Sequence, residues 1–287
     1  TKQHAKEVIP QCDAVFQICL PHKSPKAHSV EWELRKAVKE QTQLTKLPAL
    51  TLDSGFFRSE AQAMREGFKH QKEVTYREWD SHVYYQLGWN GIKRNAVDMV
   101  KGSHPVRFGE RFRELDVRLE PWREPNYPTT NRPYAVIVGQ TLWGASTQEL
   151  DINEWCKSAR KTLVEMGMKT AFKPHPRMAR LPQKLRLQLK RICGESPPPN
   201  VDDLSDAFAR VGYSRNALVD AIVAGVPVVG CHESCMAFDV ASKSIDKAMT
   251  PARPERTRWA CSLAWCQWNP NELRAGKAWD HLRTFWS

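Results

Sequence analysis

The sequence predicts an α/β protein built as two domains with largely parallel sheets. Three observations carry that expectation. The chain has 287 residues, 41% of them hydrophobic and 26% charged, which is enough apolar material for two ordinary cores and too much for a disordered chain. Short apolar runs alternate with amphipathic stretches of helical period, the pattern of βα units. Four prolines (Pro121, Pro125, Pro128 and Pro133) interrupt that alternation near the middle. The boundaries read from this pattern are 1–121 for a first domain, 122–133 for a linker, 134–248 for a second domain and 249–287 for a C-terminal tail.

In the first domain the apolar run at 14–19 reads as a buried strand stopped by Pro21. Residues 31–43 follow with helical period, placing Trp32, Leu34, Ala37 and Val38 on or near one face. Residues 48–52 form the next strand. It runs into Asp53-Ser54-Gly55, a carboxylate and a hydroxyl at a strand C-terminus, where open α/β sheets bind ligands. Asp53 or Ser54 serves equally as the cap of a helix beginning near Glu60. The stretch 76–100 is rich in rings, among them Trp79, Tyr84, Tyr85 and Trp89, which suit a core and would also stack on a base or a sugar. Charges of both signs over 107–118 read as a solvated face.

The second domain opens with a strand at 134–138 that ends in Gly139-Gln140. An amphipathic helix at 155–166 leads to a strand at 170–172 and then to Lys173-Pro174-His175-Pro176-Arg177. A helix at 181–192 and a strand at 208–212 come next. Ser214 and Asn216 stand at the start of a helix over 216–224, Gly225 falls where a helix end takes a left-handed residue, and Pro227 opens the strand 226–230. Five of the eleven tryptophans lie in the last 29 residues, a tail expected to pack across both domains.

Lys173, His175 and Arg177 alternate, so in an extended segment their side chains point the same way, and the two intervening prolines stiffen that extension. Such an array suits a diphosphate. Ser214 and Asn216 sit where a helix N-terminus favours an anion, although Ser214 fits equally as a plain N-cap. No GxxxxGK[ST], GxGxxG or GxSxG motif is present, which disfavours P-loop phosphoryl transfer, the dinucleotide fold and a hydrolase elbow.

A net charge of +11, from 43 Lys and Arg against 32 Asp and Glu, points to polyanionic partners: nucleic acid, acidic glycan, anionic membrane or a nucleotide. Between Lys169 and Arg191 there are eight cations and no acidic residue. Eight scattered cysteines read as reduced thiols in a cytoplasm, and their spacing does not match common zinc modules, so no metal is expected. No apolar run is long enough to span a bilayer and nothing at the start reads as a signal peptide. The chain begins at Thr1 rather than Met, which leaves room for a preceding strand.

The strand followed by Lys173-Pro174-His175-Pro176, together with Ser214, Asn216 and the helix closing in Ala224-Gly225-Val226-Pro227-Val228-Val229, resembles the C-terminal domain of GT-B glycosyltransferases of the capsular-polysaccharide type. It most resembles phage-encoded members proposed to glycosylate hypermodified DNA bases. Arg256, Trp259, Gln267-Trp268 and Gly276-Lys277-Ala278-Trp279 are similar to the tails of such proteins, while the first half matches only through Leu52-Asp53-Ser54-Gly55. The resemblance implies two Rossmann-like domains facing a central cleft, with C-terminal helices crossing back. It also implies sugar transfer without metal or other cofactor, from a nucleotide-sugar co-substrate such as a UDP-sugar. On that reading Gln140, Lys173, His175, Arg177, Ser214, Asn216 and Asp220 bind the donor and Asp53 is the general base of an inverting reaction. The acceptor expected is a hydroxymethylated pyrimidine in double-stranded DNA. Arg58, Arg65, Lys69 and Lys72 would lie on the duplex, and Trp89 or Trp143 would receive the flipped base. The alternatives are a capsular or lipid-linked polysaccharide acceptor, and a non-catalytic nucleic-acid-binding protein on the same scaffold, against which the Lys173/His175 pair argues.

Overall fold

The computed structural model describes residues 15–18, 30–58, 80–89, 108–124, 133–140, 150–173, 175, 207–214 and 216–285. The chain divides into two compact units, residues 1–117 with 258–287 and residues 118–257. Each is an α/β unit whose described strands form a four-stranded sheet.

The first unit begins with β1 (Val15–Ile18), α1 (Val30–Thr45), β2 (Ala49–Ser54) and β3 (Tyr85–Trp89). β1 and β2 are parallel, but β3 runs antiparallel to β2, so this sheet is mixed where a parallel one is expected. The ring-rich stretch concealed β3. Aromatic residues form strands readily when one face is covered, and here Leu87 and Trp89 are both buried. α2 (Phe108–Glu114) follows, and it is not wholly a solvated face: Arg111 is 3% exposed.

The second unit holds β4 (Tyr134–Val138), α3 (Ile152–Glu165), β5 (Lys169–Lys173), β6 (Ala209–Gly212), α4 (Ala217–Val223) and β7 (Val228–Gly230). Its strands lie in the order β5-β4-β6-β7 and all pair in parallel. The Oδ1 atom of Asp151 caps α3 by accepting from the N–H groups of Asn153 at 2.9 Å and Glu154 at 3.2 Å. Ile152, Cys156, Ala159 and Leu163 then fall on one buried helical face, and Ile152, Cys156 and Leu163 share a core with Ala135, Ile137, Phe172 and Val211 of the sheet.

Residues expected to open a linker belong instead to this unit. The N–H of Glu120 donates to Val223 O at 2.9 Å and that of Arg123 to Gly225 O at 2.8 Å, so the segment closes the carbonyl end of α4. Gly225 has φ +76°, and a Cβ there would lie 2.0 Å from Pro121 O. The entry and exit of the unit are also tied together. Trp122 Nε1 donates to Pro254 O at 2.9 Å, and the Arg256 guanidinium sits 4.1 Å from the centre of the Trp122 ring while donating to Ile222 O.

The tail is divided at Thr257, with Arg258 onward belonging to the first unit. It supplies α5 (Thr257–Trp265), β8 (Gln267–Trp268), α6 (Pro270–Arg274) and α7 (Lys277–Leu282). β8 pairs antiparallel with β3, and Trp268, Ala278 and Leu282 complete the core around Leu87 and Trp89. Gln267 is fully buried; its Oε1 accepts from Phe56 N–H at 2.8 Å and Phe57 N–H at 3.0 Å, and its Nε2 donates to Phe57 O at 3.2 Å. No described helix is long and apolar enough to cross a membrane.

Candidate functional site

The described strands of the second sheet diverge at a topological switch point. After β4 the chain adds β5 on one side, then returns to place β6 on the other side of β4, so the connections diverge between β4 and β6. Ligands of open α/β sheets bind beyond the strand C-termini at such a place. β4 ends in Gly139-Gln140 and β6 in Tyr213-Ser214. Across the gap Gln140 Nε2 donates to Ser214 Oγ at 2.8 Å, with the two residues 5% and 3% exposed. Gln140 Oε1 is buried without a hydrogen-bond partner among the described residues.

On one side of the pair β5 delivers Lys173, whose Cα is in register with Val138 and whose carbonyl accepts from Gly139 N–H at 2.9 Å. A Cβ on Gly139 would fall 2.6 Å from the Phe172 ring, so only glycine lets the end of β4 lie this close. Lys173 and His175 are both half-buried. On the other side the N–H of Cys231 donates to Gly212 O at 3.0 Å, carrying β7 alongside the end of β6. There His232 stacks on Tyr213 at 4.6 Å and 21°, and Trp155 meets Tyr213 edge-on at 5.9 Å. Ser234 N–H donates to His232 Nδ1 at 3.2 Å, with Ser234 Oγ 2.7 Å from the same atom, so the neutral ring carries its proton on Nε2. Burial, with the neighbouring Cys235 thiol adding, pushes the Cys231 thiol up to about 12. A thiol so protonated is no nucleophile at neutral pH.

Gln140, Ser214, Lys173 and His175 are thus gathered at one edge of one sheet. Ser214 is not the helix cap. Asn216 holds that position, with helical dihedrals and no side-chain cap bond, and the Ser214 hydroxyl is engaged with Gln140 instead. Asp220 is half-buried in the first turn of α4. Asp53 lies inside β2, opposite Gln86 rather than past the strand end, because β2 runs on to Ser54; its Oδ1 accepts from Ser54 N–H at 2.7 Å. Arg58 has φ +48° and its guanidinium is 3.5 Å from Asp116.

Trp89 requires a correction. It is 9% exposed, its Nε1 donates to Leu282 O at 2.9 Å and its ring fills the first unit's core, so it cannot receive a base. Arg65, Lys69, Lys72, Trp143, Arg177 and the helix expected at 181–192 lie outside the described residues. Nothing local in the sequence marks Trp155, Tyr213 and His232 as ring partners. Their signal is positional for two of them: Tyr213 directly follows the last residue of β6, and His232 comes two residues after the last of β7.

The chain is therefore a two-unit α/β protein with a polar site at the switch point of its parallel sheet. No family model and no curated protein matches it. Among solved structures it is similar to the β-Kdo 2,7-transferase of KpsC from Thermosulfurimonas dismutans, at 13% identity and a TM-score of 0.49 over 95% of this chain and 99% of that one. The β-Kdo 2,4-transferase of KpsC from the same organism gives 16% identity and a TM-score of 0.43 over 83% and 78% of the two chains. A Listeria monocytogenes protein described as a UDP-N-acetylglucosamine 2-epimerase gives 11% identity and a TM-score of 0.30 over 91% and 74%.

Proposed function

We propose that the chain is a GT-B glycosyltransferase that moves a sugar from a nucleotide sugar to a hydroxyl of a capsular or lipid-linked glycan. The observation that carries this reading is the Gln140–Ser214 pair at the switch point with Lys173 at the end of the adjoining strand and His175 just beyond it. A lysine and an imidazole beside neutral polar groups at a parallel-sheet edge fit a ligand that is part phosphate and part sugar. In this reading Lys173 and His175 hold the phosphate and stabilise the charge that grows on it as the bond from the anomeric carbon breaks.

A glycan acceptor is favoured over a DNA base because Trp89, one of the two rings assigned to receive the flipped base, is committed to the core. Both acceptors are tested together by mass spectrometry of glycan acceptors and of hydroxymethylated duplex DNA after incubation with UDP-, GDP- and CMP-sugars. Transfer to the glycan and not to DNA is expected. Lys173→Ala and His175→Ala should each lower kcat/KM by about 10²–10³-fold, the usual cost of one charge-stabilising group. Modification of the DNA, or tight duplex binding with a steep salt slope, would turn the assignment to a base acceptor. If the full chain neither binds nor turns over any nucleotide sugar, the reading is wrong.

A further inference from the structure

We infer that Gln140 Oε1 reads a hydroxyl on the sugar portion of the donor, ribose or transferred sugar, and that no phosphate oxygen sits against that atom. This inference rests on the glycosyltransferase reading and gives its donor an orientation. The amide has one donating and one accepting end. One of the two Nε2 hydrogens goes to Ser214 Oγ at 2.8 Å, and the atom left without a bond is Oε1, which can only accept. That atom is buried in a residue 5% exposed and has no hydrogen-bond partner among the described residues. A buried carbonyl in that condition is under-satisfied, and a ligand O–H relieves it. A phosphate oxygen would set lone pair against lone pair and make it worse.

The neighbouring strand end has the opposite character. Lys173 closes β5, beside β4 in the sheet, and His175 follows it, so the positive charge lies to one side of the Gln140–Ser214 gap. The ligand then lies across the strand ends, its phosphate toward β5 and a hydroxyl-bearing ring over the gap between β4 and β6. Ser214 is a positioning residue in this arrangement, because its oxygen holds the amide by Nε2. Sites that hydrogen-bond a substrate hydroxyl discriminate strongly against analogues that lack it.

The test measures binding by calorimetry with the full chain, using UDP-glucose, UDP and 2′-deoxy-UDP, the corresponding CMP and 2′-deoxy-CMP, uridine and inorganic diphosphate. Wild type is compared with Gln140→Leu, Gln140→Glu, Ser214→Ala and Lys173→Ala. Gln140→Leu should weaken binding of the hydroxyl-bearing ligand by about 10- to 100-fold. Gln140→Glu restores an acceptor of the same shape and, with uridine, which has no phosphate for the new charge to repel, should bind more tightly than Gln140→Leu. Deleting the hydroxyl from the ligand should abolish the difference between wild type and Gln140→Leu. A collapse of that difference with the 2′-deoxy nucleotides assigns the ribose. A difference seen with UDP-glucose and absent with UDP assigns the transferred sugar. If Gln140→Leu weakens binding of inorganic diphosphate as much as Lys173→Ala does, a phosphate does contact Gln140 and the inference falls while the parent reading stands. Equal affinities of wild type and Gln140→Leu for every ligand also overturn it. Wild type binding none of the nucleotides overturns the parent reading and this inference with it.

Discussion

Arg111 is 3% exposed and keeps its charge through a dense set of partners. Nη2 donates to Glu272 Oε2 at 2.7 Å and to Gln267 O at 2.8 Å, Nη1 reaches Glu272 Oε1 and also Glu114 at 3.1 Å, and the guanidinium lies 4.5 Å from the centre of the Trp268 ring. Burial disfavours the charged form, yet the bonds to Glu272 outweigh it and hold the pKa above the ordinary arginine value. Removing one partner of a buried pair leaves an uncompensated charge, so Arg111→Ala should destabilise the first unit by about 3–5 kcal/mol, read from chemical denaturation. The sequence did not disclose this. Charges of both signs between 107 and 118 look like a solvated face until Glu272, far along the chain, is known to lie against one of them. Cys231 gives a prediction of opposite pH sense to that of salt-bridged carboxylates. The unfolded thiol ionises above about 8.5, while the folded one stays protonated to about 12. Between those values the unfolded state binds fewer protons, so stability should fall as pH rises and Cys231→Ser should flatten that slope. Denaturant melts of both proteins at pH 7 and pH 10 measure it, and identical slopes would refute the assignment.

Among the elements, the turn from α4 into β7 was the most legible. A left-handed position after the helix and a proline before the strand permit little else, and Gly225 does take φ +76°. Its second role, the approach of Pro121 O to within 2.0 Å of where a Cβ would stand, depends on a segment about a hundred residues away and could not be read locally. Gly225→Ala should therefore cost more than the roughly 1 kcal/mol of an ordinary glycine substitution, because both dihedral strain and backbone collision act. Thermal unfolding of the variant beside Gly167→Ala separates the two, since Gly167 has φ +83° with open space around it. Similar logic explains the site. Lys173 and His175 were legible because strand, proline and charge alternate in a continuous stretch. The Gln140–Ser214 bond was not, because it joins residues 74 positions apart and displaces the cap that Ser214 would otherwise form. β3 stayed hidden because its rings suit a core as well as a binding face.

For the molecule as a whole, two α/β units were foreseeable from the alternation of apolar runs and the proline-rich break, but not the way the chain is shared between them. The second unit is continuous from Arg118 to Thr257, whereas the first combines Thr1–Val117 with Arg258–Ser287. Residues 118–257 expressed alone should give a cooperative thermal transition and retain nucleotide affinity within about tenfold, because Gln140, Ser214, Lys173 and His175 all belong to that unit and its ends are bonded to each other through Trp122 and Pro254. A non-cooperative melt would refute its independence. The same division sets an order in time. The turn at Phe56 is held by Gln267, 211 residues later, so at a synthesis rate of about 5–20 residues per second it waits roughly 10–40 s for its partner to be made. Over that interval the later-begun unit can complete its sheet, and β3 emerges with no β8 to cover its edge. The unit begun earlier is thus completed after the one begun later.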